Sequence, residues 1–177
     1  MKNLISHVNS EQAFIDHQDP WVYIESLDLI NASHAKAQLI LPFDEFIALD
    51  ASQQKLLDIQ PIKAFWLSNS TDIQLLAPFL NELVLVCLNF PKFTDGRAYS
   101  QAVELRSHLK WPGEIRAFGD VLRDQLDHMH RCGFNSFAIR EDKNVEDALK
   151  GLSSISINYS NSVLEPLPLF RRRSLYR

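Results

Sequence analysis

The pattern of apolar and polar positions changes character near Pro61. Before it, Trp21-Val22-Tyr23-Ile24 reads as a strand after the Asp19-Pro20 turn, and Ala37 to Leu41 as another, ended by Pro42. From Phe43 the spacing of Phe43, Phe46 and Ile47, then Leu56 and Leu57, predicts helix broken near Asp50. After Pro61 a unit repeats in which a β-rich run ends at a polar turn and a helical pattern follows. Ala64-Phe65-Trp66-Leu67 leads through Ser68-Asn69-Ser70 to Thr71-Asp72-Ile73-Gln74, a capping-box pattern, and Pro78 keeps that helix short or kinked. Leu83 to Leu88 runs through Phe90-Pro91-Lys92-Phe93-Thr94-Asp95-Gly96 into a helix from Arg97 to Lys110. Its Ala98, Ala102, Leu105 and Leu109 share one face, and Trp111-Pro112-Gly113 stops it.

The third unit takes Glu114 to Phe118 as strand, Gly119 as turn, Asp120 as N-cap with the helix starting at Val121, and Leu122, Leu126 and Met129 as the buried stripe. Gly133 is the expected C′ residue. In the fourth, Ser136 to Arg140 is a strand and Asn144 caps a short helix with Ala148 and Leu149 inward. Strands alternating with helices, none leaving room for a hairpin, imply an α/β fold: repeated βα units forming a mainly parallel sheet, open or a partial barrel.

A length of 177 residues suits one domain, placed at 1–160. Beyond it, residues 161–177 form a basic, Pro-containing tail. It reads as mobile chain, or as a docking peptide in which Leu167, Leu169 and Phe170 anchor while Arg171, Arg172 and Arg173 meet an acidic patch. No apolar run is long enough to span a bilayer, because Pro78 and Asn81-Glu82 interrupt the best one. Nor does the start show a secretory pattern, so the expected location is the cytoplasm.

Charge adds a direction to this picture. Residues 1–91 hold four Lys, no Arg and eleven acids, whereas 92–177 hold fourteen Lys plus Arg against eleven acids. Every arginine and every glycine lies at or beyond position 96, which moves the expected chemistry into the second half. A net charge of −4 argues against general nucleic-acid binding.

A parallel sheet gathers its βα turns on one edge. Ser68 and Asn69, Lys92 to Arg97, Gly119 and Asp120, and Arg140 to Lys143 should therefore meet there. Lys92, Arg97, Arg116, Arg123 and Arg140 are the candidate anion or partner contacts, with Asp95, Asp120 and Asp124 to orient them. In the competing reading Asp95 and Asp120 cap helices, and the arginines pair with neighbouring acids. Arg116 lies inside a strand and, if its neighbours are buried, must find a carboxylate or a ligand.

Several chemistries lack their signatures. There is no G-x-G-x-x-G, no Walker A loop and no G-x-S-x-G elbow, so nothing marks an NAD, NTP or hydrolase site. Cys87 and Cys132 are the two cysteines and read as small buried residues, too few for an iron–sulfur cluster. His128 and Cys132 share a helix face without a third metal ligand.

Residues 89–140 carry a resemblance. Phe90-Pro91-Lys92-Phe93-Thr94-Asp95-Gly96-Arg97, Tyr99-Ser100-Gln101-Ala102, Leu105-Arg106 and Gly113-Glu114-Ile115-Arg116-Ala117 are part of it. So are Gly119-Asp120-Val121-Leu122-Arg123-Asp124-Gln125 and Arg131-Cys132-Gly133-Phe134. Together they closely resemble the bacterial family DUF934, with weaker similarity from about residue 39 to 159. Members often bear the label of oxidoreductases of sulfite reduction and are encoded beside the sulfite reductase haemoprotein. The resemblance thus implies an accessory protein of sulfur assimilation and cysteine biosynthesis, partnered by that haemoprotein in electron delivery or cofactor handling. No residue here marks a flavin or any other cofactor, and the cofactor stays open.

Two alternatives stand beside that reading. One is a small-molecule enzyme with an anionic substrate, using Asp95 or Asp120 as general base; the other is a non-catalytic adaptor. The candidate catalytic residues are then Asp95 and Asp120. The anion- or partner-binding set is Lys92, Arg97, Arg116, Arg123, Asp124, Gln125 and Arg140.

Overall fold

The repeating units of the second half become parallel strands, each followed by a helical segment. A computed structural model describes residues 1–7, 12–34, 36–56, 61–152 and 159–172; the expectations on Leu57 and Arg173 lie outside them. The strands are β1 (Leu4–Ser6), β2 (Phe14–Asp16), β3 (Trp21–Tyr23), β4 (Gln38–Pro42), β5 (Ala64–Leu67), β6 (Leu85–Phe90), β7 (Glu114–Gly119) and β8 (Ser136–Ala138). They form one sheet in the order β2-β1-β8-β7-β6-β5-β4-β3, parallel from β3 to β8, with β1 antiparallel to both β2 and β8. The sheet curls into an open half-barrel within a single domain, so the mixed α/β architecture with a mostly parallel sheet is as expected. β1 and β2 were not foreseen, because neither Leu4-Ile5-Ser6 nor Phe14-Ile15-Asp16 alternates apolar with polar positions.

Alternation along the strands separates two cores. Phe65, Leu67, Val86, Leu88, Phe90, Ile115, Ala117 and Phe137 face the helical layer. That layer contains α1 (Phe43–Ala48), α2 (Ala51–Leu56), α3 (Arg97–Ser107), α4 (Leu126–Arg131) and α5 (Val145–Leu149), with 3-10 segments at Ile73–Phe79 and Arg123–Gln125. Leu4, Ile40, Ala64, Leu85, Cys87, Phe118 and Ala138 line the concave side, joined by Trp21, Tyr23 and Trp66. Both faces of the sheet are therefore covered, as parallel sheets require.

Arg116 is the exception on the concave side. It stands in register with Cys87 and is 2% exposed. Its guanidinium donates to both Asp19 oxygens at 3.0 Å, to Glu114 Oε1 at 2.8 and 3.1 Å and to Ser136 Oγ at 3.0 Å. Burial alone would disfavour the charge, but Glu114 and Asp19 raise the guanidinium's affinity for its proton above the usual. Asp19 sits in the link between β2 and β3, the two edges of the sheet, so this ion pair anchors that link to β7.

Three local expectations fail for identifiable reasons. Thr71 does not cap its helix: the 3-10 segment takes Asp72 as N-cap, bonded to Gln74 N, while Thr71 Oγ1 donates to Asp44 at 2.8 Å. Asp120 is not an N-cap and no helix starts at Val121. The φ of +96° at Gly119 swings the chain outward, and the helical segment starts at Arg123 behind Leu122. The helix from Arg97 ends at Ser107, not Lys110, whose own φ is +53°. The break near Asp50, the Asn144 cap and Gly133 after α4 are as expected; Asn144 Oδ1 accepts from Asp147 N at 2.6 Å. From Tyr159 to Arg172 the chain returns to α4 through Val163 N to Arg131 O at 3.1 Å and ends in α6 (Leu169–Arg172).

His130 on α4 packs edge-on against His7 with ring centroids 4.7 Å apart, and its Nδ1 bonds Phe134 O. Burial, reinforced by His7, lowers its pKa from 6.5. Because the folded value is depressed, its contribution to stability is complete above the unfolded value and declines as the pH falls below about 6.5. The urea midpoint should accordingly be lower at pH 5.5 than at 7.5, and His130→Phe should flatten that difference. An equal slope in the variant would exclude His130 as its source.

Candidate functional site

The carboxyl ends of β4 to β8 open onto a rim built by the turns that follow them. After β6, Pro91 directs the chain away from the sheet, and Asp95 N bonds Lys92 O at 2.9 Å to close a turn. Asp95 then accepts from Arg97 N at 3.1 Å, from Arg97 Nη2 at 2.7 Å and from Asn69 Nδ2 at 2.6 Å. The Arg97 guanidinium and backbone N–H, followed by Asn69, hold this carboxyl down to about 2. The buried Gln101 of α3 keeps the β5 turn close by donating to Ser68 O and Thr71 O, both at 2.9 Å.

Asp120, which leaves β7, joins two neighbouring turns. Its Oδ2 accepts from Phe93 N at 2.9 Å and its Oδ1 from Arg140 Nη1 at 2.6 Å. The Phe93 amide, then Arg140, lowers the Asp120 pKa. Arg140 also donates to Asp142 Oδ1 at 2.6 Å, and Gln125 Nε2 donates to Phe93 O at 2.7 Å. Phe93 is thereby gripped at its amide N–H and its carbonyl, while the residue as a whole is 52% exposed.

Lys92, Asp95, Arg97, Asp120, Gln125 and Arg140 thus lie on one rim. The cations are largely compensated there, Arg97 by Asp95 and Arg140 by Asp120 and Asp142. Arg123 turns away to Asp147 of α5 at 2.8 Å and, with Asp124, lines a separate cavity of about 500 Å³ between α4 and α5. Arg116 does not join the rim. Its bonds to Glu114 and Ser136, the first residues of β7 and β8, place the guanidinium at the opposite end of the strands.

Sequence reasoning placed Asn69, Phe93 and Asp142 on this edge but gave none of them a role; for Phe93 the signal was a lone aromatic inside a polar turn. His128 and Cys132 do approach, with Nε2 and Sγ 3.9 Å apart, yet no group of three or more metal-ligating side chains occurs among the described residues.

Residues 64–170, more than half of the chain, match the family model described as bacterial protein of unknown function, DUF934. The chain belongs to that family. The DUF934 match covers β5 to β8, the whole 91–97 turn and the segment returning to α4, starting and ending later than the expected 39–159. No curated protein and no solved structure matches the chain. Among the described residues of this DUF934 member, no helix is long and apolar enough to cross a membrane.

Proposed function

We propose that this DUF934 chain is an accessory protein of assimilatory sulfite reduction, working in the cytoplasm and docking through its rim to the sulfite reductase haemoprotein. The pathway and the partner rest on the family resemblance; the docking mode rests on the rim. The observation that carries it is the fixed backbone of Phe93 beneath a solvent-facing ring. An aromatic side chain already ordered by its neighbours loses little entropy on association, which is the property of an interface hot spot. The carboxylates point the same way. A group held near 2, as Asp95 is, makes a weak general base at neutral pH, so the rim suits binding better than proton transfer.

The test is the affinity of the purified chain for the haemoprotein. Phe93→Ala should weaken the complex at least about 30-fold without shifting the melting temperature. Deletion of the gene should slow growth on sulfate and leave growth on cysteine unchanged. Absence of any complex with the wild-type chain overturns the proposal, whereas a complex unaffected by Phe93→Ala overturns the rim as its docking surface.

A further inference from the structure

The hollow of the half-barrel has a layered interior. Tyr23, Trp66 and Phe118 come from alternate strands, β3, β5 and β7, each at the last or next-to-last position. Their ring centroids lie 5.5 to 5.9 Å apart in tilted and edge-to-face contacts. Such layering from alternate strands is how parallel barrels fill, and the layer nearest the carboxyl ends forms the floor of their ligand sites. Trp66 is locked, because its indole N–H donates to Ile24 O at 2.8 Å.

Two polar groups belong to the same concave side. Asn89 is next to last in β6, opposite Phe118 in register and on the same face as Cys87. Neither its carboxamide nor the Tyr23 hydroxyl has a hydrogen-bond partner among the described residues. Both residues are half-buried. Their polar atoms reach solvent, so an amide and a phenol over one aromatic layer stand open to a ligand that replaces water there. Burial, with the Glu25 carboxylate nearby, pushes the Tyr23 phenol up to about 12, so it serves as a neutral hydrogen-bonding group. Gly119 lets the Asn89 side chain keep this position, since a Cβ there would lie 2.7 Å from Asn89 Oδ1.

We infer that the mouth of the half-barrel binds a neutral, planar nitrogen heterocycle with a lactam or amidine edge. The ring packs on the Trp66, Tyr23 and Phe118 layer, where offset and edge contacts between π systems are favourable. The edge pairs with the Asn89 carboxamide, which offers a donor and an acceptor side by side as such an edge requires. The Tyr23 hydroxyl supplies a third hydrogen bond. An anionic ligand is disfavoured because the floor residues are uncharged, Glu25 lies near Tyr23, and Arg97 and Arg140 are already paired. This site is independent of the docking surface: it uses the hollow, and Phe93 faces out.

The experiment is a titration of the ¹⁵N-labelled full chain with adenine, hypoxanthine and uracil, each to about 5 mM, the range in which weak ring binding registers. At least one base should give saturable shifts of the Asn89 side-chain amide and the Trp66 indole. Asn89→Ala should weaken that base about tenfold, and Tyr23→Phe, which keeps the ring, about threefold. If Asn89→Ala fails to fold, Tyr23→Phe decides alone. Absence of saturable shifts with all three bases overturns the inference, as does unchanged affinity in both variants.

Discussion

Replacing Arg116 by methionine is expected to cost about 3–5 kcal/mol of stability, the usual result of stranding one half of a buried ion pair. The reason is the company Arg116 keeps. Asp19 is 3% exposed and Glu114 mostly covered, and without the guanidinium both lose their shared partner, leaving Asp19 with the Met1 amino group. The effect is architectural as well as electrostatic, since Asp19 belongs to the link between the two edge strands. Urea denaturation measures it, and a midpoint within the error of the wild type would show that the clamp contributes nothing. Combining Arg116→Met with Asp19→Asn should recover part of the loss, because the second change removes the stranded charge.

The same pair has a pH signature. Burial by itself would raise the Asp19 pKa, but its bonds to Arg116 and to the Met1 amino group bring it below 3.8. A depressed carboxyl stabilises the fold above its unfolded value and ceases to do so as the pH falls through the folded value. The wild-type chain should therefore lose this contribution below about pH 4, and Arg116→Met, in which only the Met1 amino group still bonds Asp19, should lose less.

Gly119→Ala is the second large effect, expected to cost roughly 2–4 kcal/mol from backbone strain and overpacking together. The φ of +96° is one that L residues rarely adopt, and a Cβ would lie 2.4 Å from Phe90 O, a backbone atom that cannot rotate aside. The damage should spread to the rim, because this turn sends Asp120 across to Phe93 and Arg140. A thermal melt together with haemoprotein affinity separates the outcomes. Loss of both is expected; wild-type values in both would mean that the turn tolerates a side chain.

Legibility followed the range of the interaction. The strands β3 to β8 stood out because each is a local run with local turn signals, such as Asp19-Pro20 before β3, Pro42 at the end of β4 and Gly119 at the end of β7. That Arg116 would need a carboxylate also followed from its position inside an apolar strand. Which carboxylate did not: Asp19 lies 97 residues away in a turn whose place against β7 no local pattern gives. Asp120 shows the reverse error. Asp before a helical stripe is a capping signal, yet Phe93 N and Arg140 compete for the same oxygens, and the turn at Gly119 settles the contest in their favour.

The chain alone determined the βα alternation, the mostly parallel sheet and the gathering of Lys92, Arg97, Asp120 and Arg140 on one edge, since parallel connection forces every turn after a strand to the same side. Tertiary structure decided that the edge is a lattice of ion pairs with Phe93 held up between them, that Arg116 closes the opposite end, and that an aromatic floor lies under Asn89. Periodicity reports which face a side chain takes. Partners are chosen by distances across the fold, and these exist only once the sheet has curled.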